Sequence, residues 1–69
     1  MADPLMSAVR ELRRERGLTQ RQAAALAGVT RSTVTRWETG VRDPRVAELR
    51  RYLAGLDADL TITARRTDA

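Results

Sequence analysis

Glycine spacing is the feature that most constrains the fold of this chain. The 69-residue sequence contains four glycines, Gly17, Gly28, Gly40 and Gly55. Glycine commonly ends a helix because it adopts positive φ without steric cost. Each of the segments between these residues has room for one short helix. The spacing therefore predicts a mainly α fold built from short helices.

The first two segments carry clear helical signals. Apolar residues recur at helical spacing in the first of them, at Leu5, Ala8, Val9 and Leu12. Gly17 ends this helix, and Leu18 supplies the apolar contact that often follows such a stop. Thr19 and Gln22 have the spacing of a capping box. We therefore predict a second helix over residues 20–27, ending at Gly28.

The next two segments are also predicted to be helices. Thr30 is the expected cap of a third helix over about residues 31–38, which ends near Gly40. Asp43 as N-cap and Pro44 as first helical residue predict the start of a fourth. That helix is expected to carry Val46, Leu49 and Leu53 on one face and to run to Gly55.

Composition narrows the chemistry. The chain has no His and no Cys, so it offers no imidazole base, no thiolate nucleophile, no disulfide and no ordinary zinc site. No acid pair or metal cluster supports an enzyme, and no cofactor is expected. A membrane span and a signal peptide are also not predicted, and a cytoplasmic protein is expected.

The charge indicates an anionic partner. All 13 basic residues are Arg, the net charge is +4 and the sequence pI is about 11.3. This balance favours nucleic-acid binding. The competing interpretation is that the arginines lie on solvated helix faces.

The centre of the chain reads as two short helices joined by a tight turn. Two helices that cross steeply at close range need a small residue at the contact, which Ala24 supplies, and Gly28 suits the turn. Val34 and Trp37 can close over the alanines of the preceding helix. The opposite face of the second helix then presents four polar residues, Arg31, Ser32, Thr35 and Arg36.

This arrangement resembles a known family. Residues 5–55 are similar to the helix-turn-helix domain of the phage-repressor and Cro type, the XRE family, with a lambda-repressor-like four-helix fold. The resemblance is carried by Gly17-Leu18-Thr19-Gln20, Ala24, Gly28, Val34 and Trp37-Glu38-Thr39-Gly40. It implies binding to double-stranded DNA, with the second helix of the pair in the major groove.

The resemblance also implies roles for individual residues. The expected base-reading residues are Arg31, Ser32, Thr35 and Arg36. The expected phosphate contacts are Gln20, Arg21, Thr30, Thr33, Thr39, Arg42 and Arg45. Phosphate contact stays open for Arg31, Arg36 and Ser32, and Ser32 could also face solvent. Arg13 is expected to form a structural ion pair with Glu38.

The C-terminal segment has a different period. Leu60, Ile62 and Ala64 alternate with polar residues, which predicts a short β-strand. Because a lone strand leaves its backbone groups unpaired, we expect it to pair with a second copy. The competing interpretation is a loosely packed tail. The chain is thus divided into a DNA-binding domain, residues 1–55, and a dimerisation strand and tail, residues 56–69, with Leu56, Leu60, Ile62 and Ala64 as interface residues.

Two functional hypotheses follow. A fourth helix followed by one terminal strand resembles the HipB-like antitoxins, whose terminal strands pair in the dimer. The resemblance therefore implies a homodimeric repressor on a palindromic operator, with a cognate toxin as a further partner. The alternative is a protein-interaction module that keeps the helix-turn-helix fold and no longer reads DNA.

Overall fold

Four helices form the fold. A computed structural model of the chain describes residues 3–62 and residue 64. The helices are α1 (Pro4–Glu15), α2 (Gln20–Ala27), α3 (Arg31–Thr39) and α4 (Val46–Gly55). This order confirms the mainly helical fold class and places α2 and α3 as the expected pair.

Local signals account for the ends of the first three helices. Thr19 caps α2, and both bonds of the predicted capping box with Gln22 are present. Thr30 caps α3 by accepting the Thr33 N–H at 3.1 Å. Gly28 and Gly40 follow α2 and α3 with φ of 70° and 80°, a region that L side chains rarely enter.

The predicted start of α4 is wrong. The N-cap is Arg45, not Asp43, and Pro44 lies outside the helix. The Arg45 N–H donates to Glu48 Oε1 at 2.9 Å, so an acid three residues into the helix satisfies the first backbone group. Because this bond caps α4 at Arg45, the Asp43-Pro44 pair does not mark the start of the helix.

The predicted end of α4 at Gly55 is confirmed. Gly55 is the last residue of α4, and the chain takes a positive φ of 57° two residues later, at Asp57. A Cβ at position 55 would lie only 3.2 Å from Leu26 Cβ. Gly55 therefore also allows a close approach between α4 and α2.

The core lies where α2 packs on α3 and α4 and where α1 meets α3. Alanines of α2 allow the close contacts, and Trp37 and Tyr52 fill the centre edge to face, with ring centroids 5.6 Å apart. The buried apolar residues are Met6, Val9, Ala23, Ala24, Ala27, Val34, Trp37, Leu49, Tyr52, Leu53 and Leu56. The α2–α3 pair is thus held by the rest of the domain.

The segment after α4 differs from its prediction. Residues 57–62 and 64 form no strand in the single chain, while Thr63 lies outside the described residues. A strand without a neighbour has no ladder to stabilise it. Leu56, predicted as an interface residue, is only 2% exposed; the apolar core of its own chain covers it and leaves little of its surface for a partner. Leu60 is half-buried against the same core, whereas Ile62 is 90% exposed.

No helix within the described residues is both long and apolar enough to cross a membrane.

Candidate DNA interface

The exposed face of α3 brings the four predicted base-reading residues together. Arg31, Ser32, Thr35 and Arg36 line one open concavity on the surface. The two arginines and Ser32 are exposed, and Thr35 is half-buried. The helix places them one turn apart, so their side chains share one face. The result is a polar, basic surface on the exposed face of α3.

The opposite face of α3 fixes the helix in the fold. Val34 and Trp37 have no exposed surface. A fully buried apolar face of this kind leaves the helix little freedom to shift. The basic surface is therefore presented by a rigid element, as precise recognition requires.

A buried ion pair supports α3 from behind. Arg13 Nε donates to Glu38 Oε2 at 2.8 Å and Arg13 Nη2 donates to Glu38 Oε1 at 3.0 Å. Both residues are 8% exposed, and Arg13 Nη1 also donates to the Leu18 carbonyl at 2.7 Å. The hydrogen bond to Glu38 raises the pKa of Arg13 above its ordinary value, against the opposing effect of burial. This contact ties α1 to the end of α3, where the resemblance had suggested a structural pair.

Gln20 joins this cluster at the start of α2. Its Nε2 donates to Glu38 Oε1 at 3.2 Å and its Oε1 accepts from Thr35 Oγ1 at 2.7 Å. The side chain expected to clamp a phosphate is thus already engaged at both ends. Gln20 also contributes a backbone N–H from the first turn of α2, where such groups lack helical partners.

Positive charge gathers where α2 meets α3. A second, more open concavity is lined by Arg13, Thr19, Gln20, Arg21 and Arg31. Arg21 and Arg31 are exposed, whereas Arg13 is buried in its ion pair. The free N–H groups at the start of α2 add a partial positive charge. This surface suits a phosphate group.

The threonines on α3 use their hydroxyls within the protein. Thr30 Oγ1 and Thr33 Oγ1 are 2.9 Å apart and share one hydrogen bond. Thr39 Oγ1 donates to the Thr35 carbonyl at 2.8 Å. A phosphate contact by any of these three hydroxyls would have to compete with these bonds.

Arg42 and Arg45 lie beyond α3, in the loop that leads to α4. Both are exposed. The Val41 and Arg42 N–H groups donate to the Arg36 carbonyl at 3.0 and 3.2 Å, so the loop turns tightly against the end of α3. Both predicted phosphate contacts are therefore carried by the segment that directly follows α3.

Sequence reasoning missed two polar contacts. The bond between Gln20 and Thr35 spans 15 positions, and the bond from Arg16 Nε to the Leu56 carbonyl, 3.0 Å long, spans 40. No local pattern signals pairs so far apart; helix packing alone could have suggested them.

No cluster of three or more potential metal-ligating side chains occurs among the described residues.

Comparison with known proteins agrees with this geometry. The helix-turn-helix family profile matches residues 9–62. The chain belongs to this family, as an XRE-type helix-turn-helix protein, and the family's members are DNA-binding transcription regulators.

One curated relative is similar over most of the chain. It is the Mycobacterium tuberculosis protein named "Putative antitoxin HigA2", 43% identical over 61 residues. The match covers 87% of this chain and 60% of the relative. The chain thus spans less than two thirds of that relative's length.

Proposed function

We propose that this protein is a DNA-binding transcription repressor that reads an operator through α3. The observation that supports this most is the basic, exposed face of α3, whose opposite face is fixed in the core by Val34 and Trp37. Arg31 and Arg36 can each donate two hydrogen bonds to guanine O6 and N7. Gln20, Arg21, Arg42 and Arg45 flank that face and would hold the phosphates.

The test is selection of bound sequences from random DNA, followed by affinity measurement at several salt concentrations. We expect one enriched motif, and an affinity for it that falls steeply as salt rises because phosphate contacts release counterions. An interaction module that no longer reads DNA would enrich no motif. An affinity independent of salt would also contradict the proposal.

The repressor is proposed to act in the cytoplasm as a homodimer on a palindrome, with half-sites about 34 Å apart. Ile62 supports this, because its apolar side chain is 90% exposed in the single chain and would be covered if the segment paired with that of a second copy. Ala64 is exposed nearby, and Leu60 already packs on its own core. A partner strand would supply the ladder that a single chain lacks.

Ile62→Asp tests the dimer. We expect it to sediment as a monomer and to bind the operator much more weakly. Thr61→Asp adds the same charge one residue away, on the other side of an extended segment, and should leave the dimer intact. Unchanged sedimentation of Ile62→Asp would exclude dimerisation through this segment.

The protein is further proposed to be the antitoxin of a toxin–antitoxin pair. The support is its 43% identity over 61 residues to the antitoxin-named relative, together with its own helix-turn-helix domain. Toxin binding would use surface outside the exposed face of α3, so DNA and toxin could bind together.

Co-expression with the product of the neighbouring gene tests this role. We expect the two proteins to co-purify, and the growth arrest caused by the neighbour alone to be relieved. Arg31→Ala should relieve it equally well, since it alters only the DNA-reading face. If the product of the neighbouring gene neither arrests growth nor binds this protein, the antitoxin proposal fails and the repressor proposal stands.

A further inference from the structure

Thr35 holds an unusual position among the four residues on the exposed face of α3. It lines the same concavity as Arg31, Ser32 and Arg36. Its hydroxyl, however, makes a 2.7 Å hydrogen bond to the side chain of Gln20, on another helix. A hydroxyl has one hydrogen to donate and two lone pairs to accept with. The direction of its internal bond therefore decides what it can offer to DNA.

The partners of Gln20 settle that direction. The oxygen and nitrogen ends of a carboxamide are alike in shape, so the partners decide which end lies where. One end lies 3.2 Å from Glu38 Oε1, and an ionised carboxylate can only accept. The end of Gln20 that faces Glu38 is thus the NH₂ group. The end that faces Thr35 is the carbonyl oxygen, which can only accept a hydrogen.

Arg13 keeps Glu38 in its accepting form. Its guanidinium donates twice to the carboxylate, at 2.8 and 3.0 Å. Such a two-point bond to a buried carboxylate favours the ionised state. The donor–acceptor order therefore runs from Arg13 through Glu38 and Gln20 to Thr35.

The second possible acceptor of the Thr35 hydrogen also lies inside the protein. It is the Arg31 carbonyl, 3.1 Å from Thr35 Oγ1. Whichever acceptor the hydrogen takes, it points away from the concavity, and a lone pair is left for the outer side. The hydroxyl has no second hydrogen to present there.

We infer that Thr35 reads DNA as an acceptor only and selects a base with an exocyclic amino group in the major groove. This inference rests on the proposed function. Adenine N6 and cytosine N4 are the donors that the major groove offers, whereas guanine O6 and thymine O4 only accept. Arg31 and Arg36 are donors, so they select acceptor atoms such as guanine O6 and N7. The operator half-site thus combines guanine under the arginines with adenine or cytosine under Thr35.

Thr35→Val is the direct test, because it keeps the branched shape and removes the acceptor. On the motif selected by the wild-type protein, we expect it to lose the adenine or cytosine preference at one base pair, by about two- to tenfold. Thr35→Ser keeps the hydroxyl and should keep the preference. Thr33→Val, the matched control two positions away, should change affinity alike for all bases.

Modified bases sharpen the test at that position. Purine replaces adenine without its amino group, and pyrimidin-2-one does the same for cytosine. Either should weaken the wild-type protein by about the same factor and leave Thr35→Val unaffected. Any general effect on the duplex is shared by both proteins and cancels in the comparison.

The outcomes separate the two proposals. If the wild-type protein enriches no motif, both the proposed function and this inference fail. If a motif is enriched but Thr35→Val keeps every base preference, the inference alone is overturned. It is equally overturned if removing the exocyclic amino group from the amino base of that pair leaves the affinity of the wild-type protein unchanged relative to that of Thr35→Val.

Discussion

The two faces of α3 carry opposite kinds of side chain on one short helix. The inner face presents Val34 and Trp37, fully buried, and Glu38, 8% exposed. The outer face presents exposed Arg31, Ser32 and Arg36. The inner face determines whether the domain folds, and the outer face can change with little effect on stability. Thr35 lies between them and is bonded to the inner cluster through Gln20.

The largest expected effect comes from the inner face. Trp37→Ala removes the biggest fully buried side chain and should cost about 3–5 kcal/mol of unfolding free energy. A domain of this size has little stability to spare, so the variant should be largely unfolded and should bind no DNA. Circular dichroism during thermal unfolding measures this without relying on the lost indole.

The control for this prediction is Arg36→Ala on the outer face, which should change stability by no more than about 0.5 kcal/mol. Equal unfolding temperatures for the two variants would show that the inner and outer faces of α3 contribute equally to stability, against this prediction.

The buried ion pair gives the next largest effect. Glu38→Ala leaves the guanidinium of Arg13 buried without its carboxylate, which should cost about 3 kcal/mol. Replacing both members, Arg13→Met with Glu38→Leu, should cost less than the sum of Arg13→Met alone and Glu38→Leu alone, which with the wild type complete the cycle. Denaturant unfolding of the four proteins gives the coupling between the two positions. Costs that simply add would show that the pair contributes nothing as a pair.

Local signals predicted the parts of the fold that are decided within a few residues. The capping box of Thr19 and Gln22 and the glycines after α2 and α3 placed those helices to within one residue. A cap or a positive φ depends on neighbours in sequence, so it is visible there.

Contacts between distant residues explain what could not be predicted. The end of α4 at Gly55 was predictable, but its close approach to Leu26 on α2 was not. Leu56 was assigned to an interface, but the core of its own chain covers it. The residue types on the exposed face of α3 could be predicted from the sequence. The bond from Thr35 to Gln20 could not, because it depends on how α2 crosses α3. The Arg13–Glu38 pair was expected from the family resemblance and not from spacing.

On the outer face, Arg31→Ala should affect recognition alone. We expect a loss of about 1–3 kcal/mol of discrimination at one base position, with unchanged unfolding. Affinities for the selected motif and for its single-base variants measure this. Equal weakening on specific and random DNA would assign Arg31 to phosphate contact and not to base reading.

The smallest change in stability at neutral pH is expected at Tyr52, which packs on the inner face of α3 from α4. Its ring packs on Trp37, and its hydroxyl finds no hydrogen-bond partner among the described residues. Removing an unpartnered buried hydroxyl costs little, so Tyr52→Phe should stay within about 1 kcal/mol of the wild-type stability at pH 7.

Alkaline pH should separate the two proteins. Burial raises the pKa of Tyr52 from 10.0 to about 12, with a smaller contribution from Glu38. A raised folded-state pKa means that stability is fully present below pH 10 and is lost as pH rises towards 12. The chain has no Lys or Cys and a single Tyr, so no other side chain has its ordinary pKa in that window. Unfolding measured between pH 9 and about 12 should show a decline in the wild type that Tyr52→Phe lacks. Parallel declines in both proteins would mean that Tyr52 ionises as readily in the folded state as in the unfolded one.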